Sequence, residues 1–195
     1  MKKIITLFAC IIISSALLAQ TEHLKFKGIP IDGTLEKFSE ALVEIGFELN
    51  EDSKEDEMLL IGDFAGYKDC RVYVSTLDNI DLVNFVSVAF PDRDTWSSLL
   101  RDYTSLKDML MEKYGDPSDS VEDFYNKEAT SDSDKLFEIR TDNYDYHSIF
   151  STDKGEIALS VEHYTFFLAE HYYVSIRYYD KINSNIIKEH VINDL

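Results

Sequence analysis

The reading of the fold turns on residues 155–180, GEIALSVEHYTFFLAEHYYVSIRYYD. Two runs in it, Gly155 to Tyr164 and Tyr172 to Asp180, alternate apolar with polar residues, the period of a β-strand with one buried face. Folded as an antiparallel hairpin with Val161 opposite Val174, they also set Leu159 against Ile176 and Ile157 against Tyr178. The same register sets Glu162 against Tyr173, Ser160 against Ser175 and Ala158 against Arg177. A slip of one residue would turn every side chain to the wrong face, so this consistent parity specifies the pairing. Tyr172 and Tyr178 then belong to the core side. Tyr173, Arg177 and Tyr179 form a row on the opposite side, where the Arg177 guanidinium could lie over a ring.

The connection, read as Thr165-Phe166-Phe167-Leu168-Ala169-Glu170, has none of the Gly, Asn, Asp or Pro that tight turns use. It carries three large apolar residues in a row instead. Burying one Phe is worth about 1.5–3 kcal/mol, so such a tip either folds back onto the protein or seats in a partner. The candidate binding residues are therefore Phe166, Phe167 and Leu168, together with Tyr173, Arg177 and Tyr179.

Working outward, YHSIFST at residues 146–152 and the runs MLLIGDFAG, CRVYVSTL and LVNFVSVAF read as further strands. Gly66-Tyr67-Lys68-Asp69 and Asp78-Asn79-Ile80-Asp81 are expected to turn between them. Leu35, Phe38, Leu42 and Ile45 recur at helical spacing after a Thr34 cap, with Gly46 as the stop. A longer helix begins at Asp94 or Thr95. Its face is Trp96, Leu99, Leu100, Tyr103, Leu106, Met109 and Leu110, and the sequence YGDP ends it. A strand around Val121 to Tyr125, a short helix over Asp134 to Arg140 and a closing helix in NSNIIKEHVINDL complete the reading. The expected class is α+β: two helix-plus-antiparallel-sheet units, α-β-β-β repeated, with helices packed on one sheet face. The units span residues 20–92 and 93–195, one compact domain, preceded by a signal peptide at 1–19.

That signal peptide rests on Lys2 and Lys3, the apolar run Ile4 to Leu18 and the Ala19-Gln20 step. The run is shorter than the ~20 apolar residues of a spanning helix. Cys10 sits inside it and is read as part of the discarded segment. The mature chain then keeps one cysteine, Cys70, in phase with Val72 and Val74 and read as a small buried apolar side chain. The chain has 19 basic and 37 acidic residues, a net charge of −18. Cleavage would remove two lysines and no acid, leaving −20. Nucleic acid and anionic lipid surfaces are poor partners for such a field, so neither nucleic-acid binding nor membrane insertion after signal removal is expected.

No glycine-rich phosphate loop, nucleophile elbow, zinc-protease or EF-hand sequence is present. His147, His163 and His171 could supply imidazoles, and the eight-residue spacing of His163 and His171 across a hairpin is compatible with a shared metal. The acidic groups near residues 51–57 and 132–134 lack calcium-loop spacing and read as solvated loops. No catalytic set, metal or cofactor is assigned.

GIPIDGTLEKF, GDFAGYKDC, MEKYGDP and the closing INDL resemble the pattern of small exported proteins of Bacteroides-type bacteria. That resemblance implies export to a Gram-negative envelope and no particular activity. The tandem helix-plus-sheet order resembles the architecture of the β-lactamase inhibitory proteins, in which two αβ repeats form a concave sheet that grips an enzyme. Those inhibitors carry disulfides where the mature chain here has a lone cysteine. The function expected is a non-enzymatic, periplasmic or secreted protein that binds another protein or an envelope component. The alternatives are a secreted hydrolase or metal-dependent enzyme whose residues converge only in space, and a structural part of a larger assembly.

Overall fold

A computed structural model describes residues 22–54, 56–77 and 80–193. The signal-peptide reading, Cys10, part of the turn at 78–81 and the last two residues of INDL lie outside them. Among the described residues there are ten strands and four helices. The strands are β1 (Lys25–Phe26), β2 (Ile29–Pro30), β3 (Glu48–Leu49), β4 (Glu57–Phe64), β5 (Tyr67–Leu77), β6 (Ile80–Ala89), β7 (Asp119–Phe124), β8 (Tyr144–Ser151), β9 (Gly155–Phe166) and β10 (Ala169–Asp180). The helices are α1 (Leu35–Glu44), α2 (Trp96–Tyr114), α3 (Asp132–Arg140) and α4 (Lys181–Asn193).

The molecule is α+β. Strands β1 and β2 form a small ribbon, and the rest make one antiparallel sheet of eight strands in the order β3-β4-β5-β6-β10-β9-β8-β7. The β9–β10 register is the one read from the sequence: Val161 faces Val174, Leu159 faces Ile176 and Ala158 faces Arg177. Strand β10 then pairs with β6, with Ile176 opposite Val88 and Tyr178 opposite Val86. One line of partners, Leu60-Val72-Val88-Ile176-Leu159-Ser148, therefore crosses six strands and is buried throughout. Each aliphatic member contributes about 1.5–3 kcal/mol of burial. The polar member, Ser148, is hydrogen-bonded to the hydroxyls of Tyr103 at 2.7 Å and Ser120 at 2.8 Å, which removes the penalty of burying it.

The buried stripes of α1 (Leu35, Phe38, Leu42) and α2 (Trp96, Leu99, Tyr103, Leu106, Leu110) join the same core as this side of the sheet. Helix α1 packs along β4–β6 and α2 along β8–β10. Thr34 caps α1 and Thr95 caps α2 by accepting from backbone N–H groups. Cys70 is fully buried in phase with Val72 and Val74, as its position predicted. Buried Asp180 accepts from the amides of Leu24 at 2.7 Å and Asn183 at 2.8 Å, and lies 3.1 Å from His23 Nδ1. It thereby ties the start of the described chain to α4.

Several expectations change. Ile45 and Met109 are exposed: Ile45 is the C-cap residue, where the chain has already left the helix, and Met109 falls at the margin of the apolar stripe of α2. The expected turn at residues 66–69 is instead the two-residue turn Ala65-Gly66, both at positive φ, and β5 starts at Tyr67. Each of α1 and α2 is followed by four strands, since the short β3 and the acidic β7 add edges. The long six-residue connection in the β9–β10 hairpin shortens to Phe167-Leu168, because Phe166 and Ala169 still pair.

Candidate functional site

The β9–β10 hairpin outgrows the sheet. Strand β8 last pairs with β9 at His147–Ser160, and β6 last pairs with β10 at Ala89–Ser175. Single bonds from Phe90 N to Val174 O (3.0 Å), Arg93 N to Tyr172 O (2.8 Å) and the Tyr144 hydroxyl to Val161 O (3.0 Å) buttress the base. From Tyr164 and His171 outward, each arm's ladder partner among the described residues is the other arm. The result is a two-stranded finger.

Side chains stiffen it, as cross-strand pairs do in a sheet. Tyr164 and His171 stack at 4.6 Å, 7° from parallel, and His163 stacks on Tyr172 at 5.7 Å. Thr165 Oγ1 donates to Glu170 at 3.0 Å, and Glu170 lies 3.2 Å from His163 Nε2. His171 Nδ1 lies 2.7 Å from Asp92.

The tip does not fold back. Phe166 is 59 % exposed, Phe167 89 % and Leu168 97 %. Phe167 (φ 46°) and Leu168 (φ 69°) both occupy left-handed backbone. Two positive φ values in a two-residue loop are the signature of a type I′ turn, which ordinarily uses Asn-Gly. For bulky residues this region costs roughly 1–2 kcal/mol each.

At the finger's base, on the sheet face away from the helices, lies a trough of about 310 Å³ walled by Arg71, Tyr73, Phe85, Tyr164, Tyr173 and Arg177. Its floor holds Ser87 and Ala89, both buried, with Ser175 buried beside them. These small residues let Arg71 of β5 reach across β6 and β10 to donate to the Tyr164 hydroxyl at 2.9 Å. Its guanidinium lies 5.7 Å from the Tyr164 ring centroid and 5.4 Å from that of Tyr173, and it pairs with Asp92 at 2.7 Å. Burial pushes the Tyr173 phenol up to about 12, helped by the nearby Glu162 carboxylate.

Arg177 does not lie over a ring. It reaches Glu162 on the facing strand at 2.9 Å, and Glu162 also accepts from Ser160 at 2.6 Å. Tyr179 stacks on Phe85 at 5.3 Å, six residues from Tyr173 along the strand. The six candidate residues thus separate into the tip trio, Tyr173 with Arg177 at the trough, and Tyr179 nearer the other end of the hairpin. Arg71, Tyr73, Tyr164 and Asp92 complete the surface and were missed. Arg71 and Tyr73 alternate out of phase with Cys70 and Val72, which marks them as outward-facing. Only the β6–β10 pairing reveals that they face Tyr173.

A second groove of about 420 Å³ adjoins on the same face, with His147, Asp145, Ser160, Glu162 and Arg177 in its lining. His147 Nδ1 is 2.5 Å from Asp145 and its Nε2 is 3.4 Å from Asp119. Burial works against the imidazolium, but these two carboxylates outweigh it and raise the pKa above the ordinary value. His163 and His171 cannot share a metal across the hairpin. His163 pairs with Tyr172 on the core side and His171 with Tyr164 on the other, so strand alternation sends them to opposite faces. Among the described residues no group of three or more His, Cys, Asp or Glu is placed to hold a metal ion, and no helix is long and apolar enough to cross a membrane.

No protein-family model matches the chain, and no curated protein or solved structure is significantly similar to it.

Proposed function

We propose that this is an exported, non-enzymatic binding protein whose β-finger engages a protein of the cell envelope. The observation that carries the reading is the tip: three consecutive large apolar side chains in solvent, two of them on left-handed backbone. A chain selected only for stability gains by placing Asn-Gly there. Covering Phe166, Phe167 and Leu168 with a partner would recover about 1.5–3 kcal/mol for each side chain. The paired, stacked arms hold the tip ready, which lowers the ordering cost of association. Lys2, Lys3 and the apolar run after them support export. The acidic balance of the sequence disfavours nucleic acid as the partner. The strand order, with β6 and β10 meeting at the centre, supports reading residues 20–92 and 93–195 as two helix-plus-sheet units side by side.

The test replaces Phe167 with a photocrosslinking phenylalanine analogue in cells, beside a control position at exposed Glu128. Crosslinking from 167 alone to one defined protein supports the reading. Equal or absent crosslinking at both positions sinks it.

A hydrolytic reading has one observation in its favour, the His147–Asp145 pair in a groove that also holds Ser160 and Glu162. Against it, both ring nitrogens of His147 are engaged by carboxylates, which leaves neither free to take a proton from Ser160. Ester or glycoside turnover that His147→Ala abolishes would reverse this preference.

A further inference from the structure

The trough is a recognition surface separate from the tip, and strand register sets its chemistry. Tyr73 of β5 and Arg177 of β10 are the two ladder partners of Ser87 on β6, so the three stand in one row across the sheet. In the next row Arg71 and Ser175 flank Ala89. The small central residues make the floor, and the long residues beside them make the walls. Ser87 is only 8 % exposed, yet no hydrogen bond reaches its hydroxyl among the described residues. The orphan side-chain atoms sealed from solvent are those of Ser39, Trp96 and His163, and the Ser87 oxygen is not one of them, because it opens into the trough. Solvent can serve it in the free protein, and a ligand hydroxyl can take that place.

Other polar groups stand ready around it. The hydroxyls of Tyr73 and Tyr173 also have no protein partner among the described residues. Arg177 spends one amino group on Glu162 at 2.9 Å, which leaves its other N–H donors for a ligand. Glu57, also in the lining, supplies a carboxylate acceptor. Tyr73 belongs to no ring pair among the described residues, so its ring face is uncovered.

Charge decides the class of ligand. The chain carries −18, but the trough is balanced. Arg71 is matched by Asp92 at 2.7 Å, Arg177 by Glu162, and Glu57 lies 3.7 Å from Lys54. There is no cationic excess to draw an anion from solution and no acidic excess to hold a cation. An uncharged aromatic ligand would suit the walls, but it would bury the Ser87 and Tyr73 hydroxyls without pairing them. A sugar ring meets every condition. It is neutral, its C–H face packs against an aromatic ring, and each of its hydroxyls both donates and accepts. At about 310 Å³ the trough is at the small end of ligand pockets, which run from roughly 300 to 1,000 Å³, so it suits a short stretch of saccharide.

We propose that the trough binds a neutral saccharide, one ring of which lies over Tyr73 with its hydroxyls paired to Ser87, Arg177 and Glu57. This goes beyond the role given to the tip and does not depend on it.

The experiment is calorimetric titration of the full protein with xylotriose, cellotriose, mannotriose and chitotriose, and with trigalacturonic acid as the charged counterpart. Beside the wild type run Ser87→Ala, a change small enough to keep the fold, Tyr73→Ala, and the tip variant Phe167→Asn/Leu168→Gly. The expected result is saturable binding of at least one neutral sugar. Ser87→Ala should weaken it about fivefold, Tyr73→Ala roughly tenfold or more, and the tip variant not at all. In the wild type, the ring signals of Tyr73 should shift during the titration in NMR while those of exposed Tyr125 stay in place. Silence across the panel overturns the proposal. So does tighter binding of the acidic sugar, or binding that Ser87→Ala and Tyr73→Ala both leave unchanged with Tyr73 unshifted. Loss of sugar binding in the tip variant alone moves the site to the finger and overturns it as well. Absent crosslinking from position 167 would remove the role of the tip and leave this site standing, and silence here would leave the tip reading untouched.

Discussion

At the residue scale the decisive positions are Phe167 and Leu168. Their backbone is that of an Asn-Gly turn, and their side chains are those of a core. Phe167→Asn/Leu168→Gly should therefore stabilise the isolated protein while weakening its binding. Relief of the left-handed strain at the two positions is worth about 2–4 kcal/mol together, a rise in melting temperature of roughly 4–16 °C for a chain of this size. A lower melting temperature in calorimetry would mean that the tip has a structural role after all. Gly155 is a second sensitive position. A Cβ there would stand 2.0 Å from the Tyr179 carbonyl oxygen, and its φ is +152°. Gly155→Ala should cost about 3 kcal/mol by urea titration, since the close neighbour is backbone and cannot swing away.

At the scale of elements, the long hairpin was legible because its arms alternate strictly and only one register keeps both faces consistent. Its connection was not, because a turn without turn-forming residues carries no signature for its length. The cation expected over a ring was Arg177. The structure gives that part to Arg71, because Glu162 on the facing strand is the nearer partner for Arg177. The N-terminal ribbon and α4 depend on Asp180, a buried carboxylate that takes the amides of Leu24 and Asn183. Asp180→Ala leaves both donors buried without an acceptor and should cost roughly 2–4 kcal/mol. Hydrogen exchange would show the loss first in residues 24–31 and in α4. Uniform loss of protection over the whole sheet would contradict that local role.

At the scale of the whole molecule, stability should fall on the alkaline side. Burial pushes the Cys70 thiol up to about 11 and the phenols of Tyr146 and Tyr173 up to about 12. The unfolded chain releases these protons first, from near pH 9 for the thiol and pH 10 for the phenols. Between those values and the raised ones the native state holds more protons, so unfolding becomes easier as pH rises. Chemical denaturation from pH 8 to 11 should show a steadily decreasing midpoint. Cys70 should react with thiol reagents only as the protein unfolds. A flat profile would mean that these groups are reached by solvent in the native state.

The amino-acid order by itself determined the α+β class, the helix start at Thr34 and that of the second helix to within Asp94 or Thr95, the burial of Cys70 and the pairing of the β9–β10 hairpin. Each of these follows from a period or a cap within a few residues. It also marked Phe166, Phe167 and Leu168 as unusual, since apolar residues stand where turn residues belong. The tertiary structure decided the rest: that β6 and β10 meet at the centre of one sheet, that the hairpin outreaches its neighbours as a finger, and that Arg71 lies between Tyr164 and Tyr173. Those outcomes join residues nearly a hundred positions apart. They depend on which strands become neighbours, and the packing of the whole core selects that, because no local pattern along the chain encodes it.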